Sequence, residues 1–209
     1  MSNDPRALIV QVCHLLASQR LTSSVGGNVS ARLADGTYWV TPTGLPKDRV
    51  QQADLVRVDA ELQVLEGTRK PSSEILVHLA MYRALPQAQG VVHAHLPIAT
   101  GFALAHVPIE THYATEAAAI LGPRVPVVPY GRPSTQALAD EVARACASCY
   151  KAYLMANHGV LSWGANLWQA YEVMETLELY AQSLLTAIAV GGAKALPEEE
   201  LHWIEETYS

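Results

Sequence analysis

The chain has 209 residues, of which half are apolar and 16% are charged, and its formal net charge at neutral pH is −6. This length suits one sizeable hydrophobic core, so we expect a single domain over residues 1–209. The net negative charge, without a cluster of Lys or Arg, argues against nucleic acid or an anionic membrane as the partner. Residues 1–20 lack the features of a signal peptide, and no apolar run is long enough to span a bilayer. The cytoplasm is therefore the expected compartment.

Apolar periodicity and turn signals predict alternating helices and strands along the whole chain. Asp4 and Asn166 are the predicted N-caps of the first helix and of a long late helix, and Ser72 or Ser73 is the predicted cap of the second. Hairpin signals among the strands indicate an α/β fold with a central, mostly antiparallel mixed sheet flanked by helices. The predicted helices cover residues 5–19, 73–85, 97 onward, 135–147, 167–190 and 197 to near the C-terminus; the predicted strands cover 28–33, 38–41, 54–58, 90–95, 125–128, 152–156 and 160–163.

Two cysteines, Cys146 and Cys149, have the CxxC spacing that serves redox and zinc sites in other proteins. A redox pair normally opens a helix, where the helix dipole lowers the thiol pKa, whereas this pair lies late in a helical pattern. No second CxxC completes a zinc ribbon. Both cysteines are therefore interpreted as packing residues.

The segment Val91-Val92-His93-Ala94-His95 places two imidazoles in a predicted strand. Alternate side chains of a strand point to the same face, so His93 and His95 are expected to lie side by side. Neutral imidazole is a common ligand of Zn²⁺. His158, in the Asn157-His158-Gly159 turn, and Glu74, at the head of the second helix, could complete the shell. A closed shell of four ligands is also typical of a purely structural zinc site, which stays an alternative here.

Three short segments carry the components of a phosphate site that uses neither Lys nor Arg. Gly26-Gly27-Asn28 offers exposed backbone N–H groups and a side-chain amide. Thr43-Gly44 and Ser72-Ser73 add hydroxyls, further N–H groups and a helix N-terminus. Each segment alone is typical of an ordinary turn or helix cap. The prediction of a phosphate site therefore depends on all three meeting in space.

The remaining ionisable residues have ordinary interpretations. Glu74 alone would be a first-turn acid that favours the helix dipole. His78 lies one turn later on the same face, so it is expected behind Glu74 or in the core. Surface or hydrogen-bonded positions without a role at the site are expected for His14, His106, His112 and His202.

Taken in order, the motifs resemble those of the class II aldolase/adducin family, and most closely its L-fuculose-1-phosphate aldolases. The likeness covers nearly the whole chain. It implies a single α/β domain and a homotetramer with active sites between subunits. The segments that carry it are GGNVS from Gly26, TPTG from Thr41, KPSSE from Lys70, VVHAH from Val91, His112-Tyr113 and Asn157-His158-Gly159.

The resemblance also implies roles for individual residues. Glu74 would be a metal ligand in the resting enzyme and the catalytic base once substrate displaces it. Tyr113 would act as proton donor in the site of a neighbouring subunit. The other metal ligands would be His93, His95 and His158, with Zn²⁺ as the ion, and the substrate phosphate would lie against Gly27, Asn28, Thr43, Gly44, Ser72 and Ser73.

The implied reaction is cleavage of a ketose 1-phosphate to dihydroxyacetone phosphate and an aldehyde, with Zn²⁺ as Lewis acid. Dehydratases of methylthioribulose 1-phosphate and decarboxylases of 3-oxo-tetronate phosphates belong to the same family and stay alternatives. A non-catalytic module of the adducin type is a remote one, because adducins lack the metal histidines. The chain departs from the fuculose-phosphate pattern at Gly131-Arg132-Pro133, where an aromatic residue is expected, and it ends early, with Tyr208 near the expected tyrosine.

Overall fold

The computed structural model describes residues 4–208, and its centre is an eight-stranded sheet. The strand order is β4-β3-β2-β1-β5-β10-β9-β8, and neighbours are antiparallel except for the parallel pair β8–β9. This confirms the predicted α/β fold with a mostly antiparallel mixed sheet. The strands are β1 (Asn28–Arg32), β2 (Tyr38–Val40), β3 (Val56–Val58), β4 (Val64–Glu66), β5 (Gly90–Ala94), β6 (Ile109–Glu110), β7 (Arg124–Val125), β8 (Val127–Val128), β9 (Ala152–Met155) and β10 (Gly159–Gly164).

Helices cover both faces of this sheet, and two of their N-termini confirm the predicted caps Asp4 and Asn166. Asp4 accepts a hydrogen bond from the Arg6 N–H, and Pro5 takes the first helical position. Thr135 and Asn166 cap the fifth and sixth helices through their side-chain oxygens. The helices are α1 (Pro5–Ser18), α2 (Ile75–Ala84), α3 (Ala99–Ala105), α4 (Thr115–Leu121), α5 (Gln136–Ala145), α6 (Leu167–Ala189) and α7 (Glu198–Tyr208).

Strand alternation divides the core into two layers. One layer joins α1, α3, α4 and α6 to the sheet, and it includes Val29 and Val92. The other joins α2 and α5 to the opposite face, and it includes Val91. Since side chains two apart share a face, His93 points to the same side as Val91, towards α2. The fold therefore brings the histidine strand and the helix that follows Glu74 into one layer.

Several elements differ from the sequence prediction. The predicted strand 125–128 is two short strands: β7 pairs with β6 in a separate two-stranded sheet, whereas β8 pairs with β9. Pro126 lies between them and cannot donate to a ladder, which explains the break. Helix α3 begins at Ala99 rather than at residue 97. The short elements β4, β6 and α4 were not predicted, because segments of two to seven residues carry little periodicity.

Within residues 4–208, no helix combines the length and the apolar composition needed to cross a membrane. Helix α6 is the longest at 23 residues. It runs along one face of the sheet and buries a stripe that includes Leu177 and Ala181 in the core.

Asn166→Ala should lower the free energy of unfolding by about 1 kcal/mol, the usual contribution of an N-cap. The reason is that the Asn166 side chain accepts the Gln169 N–H at 2.9 Å, at the start of the helix that supports the sheet. Urea unfolding followed by circular dichroism measures the change. Gln182→Ala, an exposed substitution in the middle of α6, is the control and should stay within about 0.5 kcal/mol of the parent. Equal losses in the two variants would contradict the capping role.

Candidate metal and substrate site

His93 is the candidate ligand that the sheet itself holds in place. It lies in the centre of the sheet, opposite Asn28 in β1 and Leu161 in β10, and its side chain is completely buried. Its Nδ1 donates to the Val160 carbonyl at 2.8 Å. This hydrogen bond requires the proton on Nδ1, so Nε2 is left facing Glu74 and can bind a metal ion.

His95 lies one residue beyond the end of β5, not within the strand as predicted. Its ring nevertheless packs edge-on to that of His93, with 4.9 Å between ring centroids. Burial, together with the neighbouring imidazoles of His93 and His158, lowers the pKa of His95 to about 4. The ring is therefore neutral at physiological pH, which is the form that binds metal ions.

His158 enters from the turn between β9 and β10. Asn157 has a left-handed backbone, with φ of 56°, and the His158 N–H donates to the Met155 carbonyl at 3.0 Å. The His158 ring centroid lies 4.9 Å from that of His93 and 5.4 Å from that of His95. Gly159 makes this approach possible, since a Cβ there would lie 2.6 Å from the His95 ring and 2.8 Å from the Ala94 carbonyl oxygen.

Glu74, directly before α2, bridges two of the histidines. Its Oε2 lies 3.1 Å from His93 Nε2, and its Oε1 lies 3.1 Å from His158 Nε2. Burial disfavours the charged carboxylate, but the nearby rings of His158 and His93 outweigh it and hold the pKa of Glu74 well below its usual range. A carboxylate this far from bulk water is stable only when it is paired in this way.

The donor set fits a transition-metal ion. Each of His93, His95 and His158 offers one ring nitrogen, and the three nitrogens lie within 4.8 Å of one another. The His95 Nε2 atom is buried and has no hydrogen-bond partner within residues 4–208. A divalent metal such as zinc is typically bound by an arrangement of this kind, in which three imidazoles converge beside a carboxylate. One of the imidazoles here, that of His95, lacks any other partner for its Nε2 atom among the described residues.

The three segments of the predicted phosphate site meet next to these histidines. The Thr43 N–H donates to the Lys70 carbonyl at 3.1 Å, and the Ser72 N–H donates to the Thr41 carbonyl at 3.0 Å. Asn28 connects the segments to the metal site, because its Nδ2 donates to Glu74 Oε2 at 3.4 Å.

Backbone conformation explains the two glycines of this region. Gly27 has φ of 70°, and a Cβ there would lie 2.5 Å from the His93 carbonyl oxygen. Gly44 has φ of 71° and open space around its α-carbon. Asn28 and Ser72 are buried, whereas Thr43, Gly44 and Ser73 are exposed. We call the region between these segments the recess; its members are the predicted phosphate-binding residues Gly27, Asn28, Thr43, Gly44, Ser72 and Ser73.

The serine cap differs from the prediction in one respect. The residue at the N-cap position of α2 is Glu74, whose side chain makes no capping bond. The Ser72 hydroxyl accepts the Glu74 N–H at 3.3 Å. Ser72 therefore orients the residue that reaches the histidines.

Tyr113 lies elsewhere on the same chain. It is half-buried beside α4 and α6, in contact with His112 at a ring distance of 4.1 Å. It lines a surface cleft of about 490 Å³ together with Tyr180 and residues 192–194. No hydrogen bond or ring contact in the part of the chain that the structure describes joins Tyr113 to Glu74 or to the metal histidines.

Sequence reasoning missed the support that α3 provides. The buried carboxylate of Glu178 in α6 accepts the Ile98 N–H at 2.8 Å and the Ala99 N–H at 2.9 Å, and so fixes the turn that follows His95. At the other end of α3, the Asn157 N–H donates to the Ala103 carbonyl at 3.2 Å. Helix α3 thus holds both loops that carry candidate metal ligands, those of His95 and His158. A lone Glu inside an apolar helix stripe was the available signal for Glu178.

His78 forms part of a buried network behind Glu74, as the sequence analysis expected. Its Nδ1 lies 2.7 Å from the Ser30 hydroxyl, which lies 2.8 Å from the hydroxyl of Tyr82. Burial and the nearby His93 lower the pKa of His78 to about 3. The ring is therefore neutral and serves packing and orientation.

The other predictions of ordinary roles agree with the structure except at Cys149, which is exposed and not a packing residue. The three cysteines are free; Cys13 and Cys146 are buried, and Cys149 is exposed. Burial raises the pKa of Cys146 to about 11, so this thiol is not activated. The histidines outside the site have other partners. His14 contacts the Val50 carbonyl, and His106 contacts Asn157. His112 packs against Tyr113, and His202 lies next to Glu206.

The family model "Class II Aldolase and Adducin N-terminal domain" matches residues 7–185. The chain belongs to this family. It is 33% identical over 197 residues to a 5-deoxy-D-ribulose 1-phosphate aldolase of Bacillus thuringiensis serovar kurstaki, covering 94% of this chain and 91% of that protein. It is also 33% identical over 201 residues to an L-fuculose phosphate aldolase of Escherichia coli O6:H1, covering 96% and 92% of the two chains.

Two further similarities narrow the range of reactions to expect of this class II aldolase-family lyase. A solved structure of an L-fuculose 1-phosphate aldolase superposes with a TM-score of 0.90 and 31% identity, over 100% of this chain and 97% of that one. A 3-oxo-tetronate 4-phosphate decarboxylase of Pectobacterium atrosepticum is 34% identical over 176 residues, covering 83% and 80%. Both similarities support a lyase acting on a sugar phosphate, and they leave the individual substrate open.

Gly159→Ala should weaken metal binding about 10- to 100-fold, the range found when the surroundings of metal ligands are altered. The added methyl group would displace His95 or the strand that carries it. Titration of zinc against a competing chelator gives the affinity, and circular dichroism checks the fold. Gly101→Ala is the matched control, because its Cβ would meet nothing within 4 Å. The same metal affinity in both variants would show that close packing at Gly159 is unimportant.

Proposed function

We propose that the protein is a zinc-dependent class II aldolase that reversibly cleaves a ketose 1-phosphate to dihydroxyacetone phosphate and an aldehyde. L-Fuculose 1-phosphate or a related deoxy or methylthio ketose 1-phosphate is the proposed substrate. The observation that carries the proposal is the position of Glu74: its carboxylate bridges two of the three clustered histidines and also contacts Asn28 of the predicted phosphate recess. Metal site and phosphate recess are thus adjacent.

The phosphate recess provides binding energy away from the reacting carbons. Backbone N–H groups around Gly27 and Gly44, with the hydroxyls of Thr43 and Ser73, suit the three terminal oxygens of a phosphate. Gly27 and Asn28 lie directly beside the histidine strand. A phosphate held there directs the first carbons of the ketose towards the histidines.

Glu74 is the proposed base. A Zn²⁺ ion bound by His93, His95 and His158 would supply Lewis-acid stabilisation of the negative charge that develops on the ketose oxygens. Glu74 would complete the shell of such an ion in the resting protein, and displacement by substrate would free its carboxylate to move a proton at the adjacent carbon. Asn28 and Ser72 hold the residue in place through the side-chain and backbone bonds described above.

Tyr113 is the proposed proton donor to the departing aldehyde oxygen, acting in the site of a neighbouring subunit. Its separation from Glu74 within one chain is consistent with that arrangement. Helix α6 also exposes large apolar side chains beside the cleft of Tyr113, among them Leu179 at 60% exposure and Ile188 at 55%. These support assembly, for which we propose the homotetramer of the family resemblance. The three free cysteines support the cytoplasm as the compartment.

A decarboxylase or dehydratase of the same family is the second candidate. It is favoured by the similarity to the 3-oxo-tetronate 4-phosphate decarboxylase and by Gly131-Arg132-Pro133, which places an exposed Arg132 where the aldolase pattern has an aromatic ring. All these reactions can use a metal-stabilised enolate, so the histidine cluster does not distinguish them.

A coupled assay for dihydroxyacetone phosphate tests the proposal directly. Zinc-loaded protein is offered L-fuculose 1-phosphate, L-rhamnulose 1-phosphate and 5-deoxy-D-ribulose 1-phosphate, with release of carbon dioxide from 3-oxo-tetronate 4-phosphate measured in parallel. We expect release from at least one ketose 1-phosphate and its loss after treatment with EDTA. Activity only towards the oxo acid would replace the aldolase by a decarboxylase.

Glu74→Gln should retain zinc better than it retains turnover. The amide preserves the shape and one oxygen ligand, whereas its proton affinity is too low for a base, so we expect kcat to fall at least 100-fold, within the usual range for general-base catalysis. Steady-state kinetics and metal analysis of the same preparation measure the two effects. His93→Ala, which should lose zinc and activity together, is the comparison. Turnover equal to that of the parent would remove Glu74 from the role of base.

Tyr113→Phe should fold and assemble as the parent does but lower kcat about 100-fold, because only the hydroxyl is lost. Analytical ultracentrifugation gives the assembly state and the coupled assay gives the rate. Tyr130→Phe, at an exposed tyrosine outside the site, is the control. An unchanged rate in Tyr113→Phe would exclude this hydroxyl as the proton donor.

A further inference from the structure

We infer that Lys47 is the cation of the phosphate recess, a positioning residue that joins its two glycine turns and supplies their positive charge. This inference rests on the proposed function, because it assumes that the recess binds phosphate. The sequence analysis described the recess as free of Lys and Arg. The sequence gives no signal for this role, because Lys47 lies in a turn after a proline, three residues beyond the Thr43-Gly44 segment.

The geometry places the Lys47 ammonium between the two turns. Its Nζ donates to the Val25 carbonyl at 3.3 Å and to the Leu45 carbonyl at 3.2 Å. Val25 directly precedes Gly26-Gly27, and Leu45 directly follows Gly44. The Lys47 N–H also donates to the Ser24 carbonyl at 2.9 Å. One residue therefore sets the spacing of both glycine turns.

The burial of this side chain is unusual for a lysine. Only 1% of Lys47 is exposed, and no carboxylate lies within ion-pair distance of its ammonium in residues 4–208. Burial without an acidic partner lowers the pKa of Lys47. Buried lysines are rare unless they are paired, and two neutral carbonyls compensate a buried charge only in part. The charge thus lacks a counterion in the free protein.

A phosphate dianion in the recess would provide that counterion. The N–H groups and hydroxyls around the recess are neutral, and they cannot neutralise two negative charges. Lys47 lies behind both glycine turns, where its field is little screened by water. His95 is close enough for the Lys47 charge to contribute to lowering its pKa, so the same charge also reaches the metal site.

Lys47→Met tests the inference, with inorganic phosphate as the probe and isothermal titration calorimetry of the zinc-loaded protein as the measurement. We expect the dissociation constant of phosphate to rise about tenfold or more, the usual effect of losing a charged partner. Acetohydroxamate, a zinc chelator without a phosphate, should bind within twofold of its affinity for the parent protein. If turnover is measurable, KM for the sugar phosphate should rise with a smaller change in kcat.

Two further variants separate charge from loop structure. Lys47→Gln keeps hydrogen-bond donors but not the charge, and it should bind phosphate as weakly as Lys47→Met. Lys47→Arg keeps the charge and should recover most of the affinity. Lys151→Met, an exposed lysine at the start of β9, should behave as the parent does.

The outcomes are distinguishable. Parent-like phosphate affinity in Lys47→Gln or Lys47→Met would overturn the role of the charge, and so would equal weakening of acetohydroxamate and phosphate binding. Failure of the parent protein to bind phosphate would instead overturn the proposed recess itself. If Lys47→Met does not fold, the comparison between the Gln and Arg variants decides the question.

Discussion

The structure depends on one buried polar contact, the carboxylate of Glu74 between the imidazoles of His93 and His158. Each partner would be costly to bury alone, and together they compensate one another. The contact connects three separate parts of the chain: the start of α2, the central strand β5 and the turn before β10. The atoms that face one another here are those that a metal ion would use. Stability of the free protein and readiness to bind metal therefore arise from the same groups.

Around this contact the protein is arranged to keep the ligands fixed. The sheet holds His93 through ladder pairing on both sides, whereas His95 and His158 lie in loops that no ladder fixes. Helix α3 performs that task for both loops, and Glu178 anchors its N-terminus. A buried carboxylate that caps a helix from another element is a strong, directional constraint, because both of its oxygens accept backbone N–H groups. The positions of His95 and His158 thus depend on α6, through the contact of Glu178 with the start of α3.

The proposed phosphate recess, which Asn28 joins to Glu74, follows a related principle. Its turns contribute backbone donors, which are rigid only if the turns themselves are held. Hydrogen bonds between residues 41–43 and 70–72 hold two of them, and Lys47 joins the third. Gly27 and Gly44 adopt positive φ values that side chains disfavour. The conformation of the recess is therefore built into the backbone.

Much of the fold followed from local signals. The caps Asp4 and Asn166, the hairpin after β1 and the antiparallel sheet were predictable, because capping oxygens, glycine turns and alternation act over a few residues. The weak elements β4, β6 and α4 were not, since their pairing is long-range. Pro126 is an intermediate case. Its interruption of strand pairing follows from the residue itself, whereas the sheet that each flanking strand joins depends on long-range contacts.

The site divides in the same way. The sequence by itself determined the ligand chemistry: His93, His95, His158 and Glu74 stand out by residue type and spacing, and so do the glycine and serine segments. Only the tertiary structure decided that these segments meet, that Glu178 fixes the loop of His95, and that Lys47 lies behind the recess. It also separated Tyr113 from Glu74 within one chain. The reason is physical: side-chain chemistry is a local property, whereas burial and partnership depend on contacts between residues far apart in the chain.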